Sequence, residues 1–318
     1  MSIAGSQPQR RPTTRDNVIA GACVVACGAI LGLNFAILKA ALRFAGPLVI
    51  QALATCLTGV VLGTYLLTRP TRARLNRGEF AWTASAGLLL GVCGSCLTAF
   101  GVQRIAAGNA ALILATTPVL TVLVRVTLFR DRARSAEVLG CVIGLAGVGI
   151  IVWGEAQSGA SQLLGGMLVL LSALMWALAL IVTREHLGRV PPDVAVSWEM
   201  IVSSPVLVVV AFAGGRVAIP WTLSFLGAVA YLGLAGKGLS FLLQMIAVRR
   251  GSDVMASATA FVTPPFGVLF GALLLAEPIG AWEIAGAFVI LSAVLAIGFG
   301  ASARHGSEPG LIGQTSEA

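Results

Sequence analysis

The sequence predicts an all-α integral membrane protein with ten transmembrane helices, arranged as two inverted five-helix repeats. Three observations lead to this fold class. Of the 318 residues, 57% are hydrophobic and only 11% are charged; the apolar residues fall into blocks; and part of the second half repeats the first. A soluble domain carries about 25% charged residues, so most of the surface of this chain must face lipid.

The apolar blocks are long enough to cross a bilayer, which requires about 20 residues per helix. The predicted spans are 18–38, 47–67, 81–101, 109–128, 136–153, 163–183, 194–213, 221–247, 254–276 and 282–300. The first block lacks a small-residue cleavage site, so we interpret it as a retained span rather than a signal peptide. The predicted domains are a tail at 1–17, a repeat at 18–153, a repeat at 163–300 and a tail at 301–318.

Lysine and arginine are distributed unevenly between alternate loops. If both termini lie on one side of the membrane, that side holds 15 of these residues and the opposite side holds only Lys39, Arg43, Arg104 and Arg216. Short loops rich in Lys and Arg stay in the cytoplasm. The sequence therefore predicts a multi-pass protein of a cytoplasmic (inner) membrane with both termini cytoplasmic. The same bias explains the formal charge of +8, so nucleic-acid binding is not expected.

An internal repeat supports the division into two halves. Residues 106–152 align without a gap to 252–298 at an offset of 146, and both copies contain Thr-Pro followed nineteen residues later by Glu-x-x-Gly. Each half has an odd number of predicted spans, so the second half enters the membrane from the opposite side. Inverted repeats of this kind occur in transporters, where the substrate site lies near the midplane at the repeat interface.

The two copies share a further pattern of small residues, proline, acidic residues and glycine. It comprises residues 108–112, Pro118, Asp131, Glu137 and Gly140 in the first half, and residues 256–258, Pro264, Glu277, Glu283 and Gly286 in the second. In this pattern the chain resembles the drug/metabolite transporter superfamily, in its EamA branch. The resemblance implies ten helices, cytoplasmic termini, and export or exchange of amino acids or related metabolites.

The chain departs from the pattern of that superfamily at three positions. Gln51 stands near the place where the second span often opens with Arg. Lys237 stands where an uncharged small residue is usual, and Asp131 replaces a more common Glu. The pattern therefore predicts the family, and it leaves the substrate open.

Lys237 is the strongest candidate for a functional residue. It lies near the middle of the eighth predicted span, where a lysine costs about 2.5–3.5 kcal/mol on insertion scales. A water-filled cavity and an anionic ligand such as a carboxylate would offset that cost. Loss of the proton through desolvation and snorkelling toward the inner interface are the alternatives. Trp176, Asn34 and Gln51 are the other predicted substrate-binding residues, with core packing or interhelical hydrogen bonding as the alternative for each.

Three prolines are predicted to have a gating role. Pro118 lies near the centre of the fourth predicted span, and Pro264 and Pro265 lie near the centre of the ninth. Proline has no backbone N–H, so it breaks or kinks a helix interior. Their symmetric placement indicates a gating or site function, and a purely structural kink is the alternative.

Motifs for other functions are missing from the sequence. No catalytic motif is recognisable, and His186 and His305 are too few for a metal site, so neither an enzyme nor a cofactor is predicted. Glu199 is the deepest acidic residue in any predicted span and lies only a few residues in, so a carboxylate proton relay is not supported. The predicted function is an alternating-access transporter that exports or exchanges small metabolites such as amino acids or carboxylate-bearing compounds. Its predicted partners are a small-molecule substrate and the lipid bilayer; a homodimer is left open. A receptor or sensor, a membrane enzyme with an unrecognised site, and a channel are the alternatives.

Overall fold

The computed structural model describes residues 14–68, 75–128, 130, 135–213, 219–250 and 259–305. In these residues the regular secondary structure is entirely helical. The helices are α1 (Thr14–Ala41), α2 (Pro47–Leu67), α3 (Arg77–Gly87), α4 (Ser95–Val102), α5 (Ala107–Leu114), α6 (Thr117–Leu128), α7 (Ser135–Ser158), α8 (Ala160–His186), α9 (Pro192–Phe212), α10 (Leu223–Ala230), α11 (Ser240–Arg250), α12 (Thr259–Leu275) and α13 (Ala281–His305).

Eight helical stretches within the described residues are long and apolar enough to cross a membrane. Two further apolar helices, Thr259–Leu275 and Ala281–Ala293, are shorter. The predicted all-helical membrane fold is therefore confirmed. Ten spans were predicted, two more than these eight, so the number ten stays a prediction.

Two of the long stretches contain a π-helical segment. Leu88–Gly94 connects α3 to α4, and Tyr231–Leu239 connects α10 to α11. At the repeat offset of 146, residues 88–94 correspond to 234–240, so the two segments occupy nearly the same place in the two halves. π-Helical turns are rare and are frequently found at functional sites.

Helices from the two halves of the chain pack directly against each other. The most extensive contacts join α1 to α12, α2 to α9, and α7 to α13. Glycine permits the closest of these approaches: a Cβ atom at Gly32 in α1 would lie 2.6 Å from the Cβ atom of Phe266 in α12. Small residues at helix contacts are the usual means by which transmembrane helices pack tightly.

The fourth predicted span is broken beside Pro118, as predicted. Helix α5 ends at Leu114 and α6 begins at Thr117. Proline cannot donate to the carbonyl four residues earlier, and the Thr117 Oγ1 hydroxyl donates to that Leu114 carbonyl at 2.6 Å instead. In the second half, Pro264 and Pro265 lie inside the continuous helix α12, so of the predicted break or kink only a kink remains possible there.

Candidate functional site

The Lys237 side chain extends from the second π-helical segment into the bundle. Its Nζ donates to Gln51 Oε1 at 3.1 Å and to Thr55 Oγ1. Both acceptors lie in the first three turns of α2, so the ammonium group points toward the end of the bundle where α2 begins. These contacts hold the side chain against α2 within the bundle.

Both hydrogen-bond partners of Lys237 are uncharged. In the described part of the chain, no carboxylate lies within ion-pairing distance of its ammonium group. The thiols of Cys56 and Cys96 are close enough to interact with it electrostatically. A buried charge without a counter-ion costs several kcal/mol, so this arrangement favours the binding of an anion.

Asn34 contributes an unsatisfied hydrogen-bond acceptor from α1. Its Oδ1 atom is buried and has no donor. The side chain lies against Gly236, where an added Cβ atom would overlap Asn34 Oδ1. An unsatisfied buried polar group costs about 1–3 kcal/mol, so this oxygen can gain from a donor on a ligand.

Trp176 contributes an unsatisfied donor from α8. Its Nε1 atom is buried without an acceptor. The indole lies against Gly94, the last residue of the first π-helical segment, where a Cβ atom would be 2.7 Å from both Cδ1 and Nε1. One turn before Trp176, Ser172 Oγ donates to the Gly94 carbonyl at 2.8 Å. The first π-helical segment thus positions Trp176, as the second positions Lys237.

The predicted binding residues come together to different degrees. Gln51 contacts Lys237 directly, and Asn34 contacts Gly236, the neighbour of Lys237 in the chain. Trp176 is connected to this group through α4, which begins beside Gly94 and contains Cys96. The prolines at 118, 264 and 265 lie on α6 and α12, outside the group.

Sequence reasoning missed Thr55 and the π-helical segments. Threonine inside a helix commonly bonds to the carbonyl four residues earlier, so a lone Thr55 carries no signal of its own. The glycines that lie in the π-helical segments are the one visible trace of them: Gly91, Gly94, Gly233, Gly236 and Gly238.

A helical membrane bundle with a polar site between two halves of the chain, next to distorted helices, is the arrangement found in many secondary transporters. A profile of the EamA-like transporter family matches residues 19–153 and 163–299. The chain belongs to this family, and its resemblance to the drug/metabolite transporter superfamily is confirmed.

Relatives of this chain are also named as transporters. It is 29% identical over 279 residues to the uncharacterized inner membrane transporter YedA of Escherichia coli strain K12, covering 85% of this chain and 88% of the relative. It is 24% identical over 301 residues to the uncharacterized transporter YvbV of Bacillus subtilis strain 168, covering 94% and 97%. A solved crystal structure shares its fold at a TM-score of 0.62 and 19% identity, covering 93% of this chain and 100% of that one.

Proposed function

We propose that this chain is an alternating-access carrier that exports or exchanges small carboxylate-bearing metabolites, such as amino acids, across a cytoplasmic membrane. Ten spans with both termini in the cytoplasm account for the distribution of Lys and Arg. The observation that carries the proposal is the Lys237 ammonium group, which is held by two neutral oxygens and has no carboxylate partner in the described residues.

The hydrogen-bonding capacity of Lys237 supports a carboxylate ligand. An ammonium group has three N–H donors, and Gln51 and Thr55 accept from it. One donor therefore remains for an oxygen of the substrate. Charge-assisted hydrogen bonds are roughly twice as strong as neutral ones, so a carboxylate uses this donor better than a carbonyl or hydroxyl group.

The unsatisfied groups of Asn34 and Trp176 favour a substrate that has a second polar group. The buried Oδ1 of Asn34 accepts a hydrogen bond, so it suits an amino or hydroxyl group. The indole N–H of Trp176 donates one, and its ring offers an apolar face to a side chain of the substrate. Amino and hydroxy acids combine these features in a small molecule.

Counterflow in liposomes tests the proposed function. Purified protein is reconstituted into vesicles loaded with one member of a panel of amino acids, hydroxy acids, amines and sugars, and uptake of the labelled compound is measured against protein-free vesicles. We expect exchange of at least one carboxylate-bearing compound. Exchange confined to amines or sugars would contradict the proposal.

A further inference from the structure

An ion pair joins the two halves of the chain at the end of the bundle where α1 finishes. Lys39 Nζ lies 2.8 Å from Glu277 Oε1 and also donates to the Ile105 carbonyl at 2.6 Å. The Ala107 N–H donates to both carboxylate oxygens of Glu277, at 3.0 and 2.9 Å. We call this group, Lys39 and Glu277 with the backbone of Ile105 and Ala107, the Glu277 latch.

The local backbone is shaped to hold Glu277 in this position. Ala276 has a φ of 54°, a conformation that non-glycine residues rarely adopt. A Cβ atom at Gly271 would lie 2.6 Å from Glu277 Oε2, so only glycine leaves room for the carboxylate. Ala107 is the first residue of α5, where backbone N–H groups lack helical acceptors and favour a negative charge.

The latch lies between the candidate site and the nearby end of the bundle. Lys39 follows Asn34 by five residues in α1, which is about 7.5 Å along a helix axis. On its other side is a cavity of about 400 Å³, lined in part by Lys39, Arg43, Gln103 and Glu277. The latch therefore lies between Asn34, which belongs to the candidate site, and the cavity at the Lys39 end of the bundle.

A second polar layer next to the latch is more deeply buried. Asn109 Nδ2 donates to Glu155 Oε1 at 2.6 Å and to Glu283 Oε1 at 3.1 Å. Asn109 and Glu155 are buried, whereas Lys39, Glu277 and Glu283 are partly exposed. Water in the adjoining cavity can hydrate the separated charges of the latch, which makes the latch the more easily opened of these two polar contacts between the halves.

We propose that the Glu277 latch is the gate that closes the substrate site at the Lys39 end, and that it breaks and re-forms in each transport cycle. The proposal rests on the proposed carrier function, because alternating access requires the halves to separate at this end. By the distribution of Lys and Arg, this end faces the outside of the cell.

Labelling of a thiol in the site tests the gate without any substrate. Cys96 is retained as the single cysteine, and an impermeant maleimide is applied separately to each face of the membrane. We test Lys39→Met and the nearly isosteric Glu277→Gln. In both variants we expect labelling from the face at the Lys39 end to be about tenfold faster than in the parent, equivalent to about 1.4 kcal/mol. Gln51→Cys, in a background without other cysteines, provides a second reporter.

The double variant Lys39→Met/Glu277→Gln separates gating from misfolding. It removes both charges, so no buried charge is left without a partner, and it is expected to label no faster than the faster single variant because the same pair is broken. Arg43→Gln is the matched control: it removes a cation from the same cavity and leaves the latch intact. We expect its labelling rate to equal that of the parent.

The outcomes distinguish this proposal from the carrier function. Equal labelling rates in the latch variants and the Arg43→Gln control, with both reporters, would overturn the gate while leaving counterflow unaffected. Faster labelling in the latch variants supports the gate even if the counterflow panel yields no substrate. Faster labelling only from the face that carries the N-terminus would overturn the gate, because α1 places Lys39 at the opposite face.

Discussion

Two asparagines with buried side-chain atoms differ in what those atoms bind. Asn34 has an unsatisfied Oδ1 atom, whereas Asn109 donates to two carboxylates from different halves of the chain. The first arrangement lowers stability unless a ligand supplies a donor, and the second stabilises the contact between the halves. Residue type alone therefore does not distinguish a ligand-binding amide from a structural one.

This contrast predicts opposite effects of the same substitution. Asn34→Leu is expected to leave the melting temperature unchanged or higher and to slow exchange of substrates that have an amino or hydroxyl group. Asn109→Leu is expected to lower stability by about 1–3 kcal/mol or more, because Glu155 and Glu283 lose their donor. Thermal unfolding in detergent checks both expectations, and a larger loss in Asn34→Leu would contradict them.

The position of Lys237 was identifiable from the sequence because a charge in an apolar block is conspicuous. Its partners were not equally identifiable. Gln51 was predicted as a polar residue within a span, and Thr55 was not singled out, because contacts between α2 and the distant residue 237 depend on how the helices pack. The same limit applies to Glu155, a buried residue near the end of α7 whose partner Asn109 lies 46 positions away.

At the level of helices, the two π-helical segments are the elements that form the site. Gly94 lies against Trp176, and Gly236 lies against Asn34. Both glycines leave room for a polar side chain from another helix, so each segment creates space as well as a distorted backbone. Hydrophobic periodicity does not distinguish π from α geometry over a few residues, so the sequence predicted only continuous spans at 81–101 and 221–247.

Filling the space at these glycines is expected to damage the site. Gly94→Ala and Gly236→Ala introduce a Cβ atom that overlaps Trp176 or Asn34, and overpacking of this kind typically costs about 1–3 kcal/mol. Gly227→Ala is the control in α10, because no atom lies within 4 Å of its added Cβ. We expect the first two variants to lose stability and exchange activity, measured by melting temperature and counterflow, and the control to retain both.

The break in the fourth span differs from the situation in the ninth. Thr117 Oγ1 satisfies the Leu114 carbonyl that Pro118 cannot reach, whereas Pro264 and Pro265 lie in a continuous helix. The prolines predicted a break or a kink in each span; the break beside Pro118 is confirmed, and α12 continues through Pro264 and Pro265. Proline within a transmembrane helix is tolerated when neighbouring groups satisfy the backbone, so its presence alone does not determine whether the helix breaks.

Repairing the break tests the predicted gating role of Pro118. Pro118→Ala restores the backbone N–H and is expected to give a folded protein with slower exchange, because α5 and α6 then form one stiffer helix. Pro205→Ala is the matched control: Pro205 also lies inside a helix, α9, and its side chain is exposed. Equal exchange rates in both variants and the parent would reduce Pro118 to a structural bend.

At the level of the whole molecule, inverted symmetry depends on the membrane orientation of each half. Loops with many Lys and Arg residues alternate with loops that have few, and the repeat offset is 146 residues. An even number of spans places both termini on one side. The family match at residues 19–153 and 163–299 is consistent with two halves of equal architecture.

Reporter fusions test this orientation directly. Fusions after residues 76, 158 and 308 are expected to lie in the cytoplasm, outside, and in the cytoplasm, respectively, from the excess of Lys and Arg on one side. Alkaline phosphatase and a fluorescent protein provide complementary readouts at each position. An external fusion after residue 308 would mean an odd number of spans and would contradict the inverted arrangement.

The most direct test of the central claim compares uptake of a carboxylate substrate and of its uncharged amide analogue. In Lys237→Met, uptake of the carboxylate is expected to fall at least about 30-fold, because truncating one partner of a buried charge pair costs about 2 kcal/mol or more. Uptake of the amide should change little, and Lys237→Arg should restore the carboxylate only in part, because the planar guanidinium group needs more room. Equal losses for both compounds, or unchanged uptake of the carboxylate in Lys237→Met, would contradict the account.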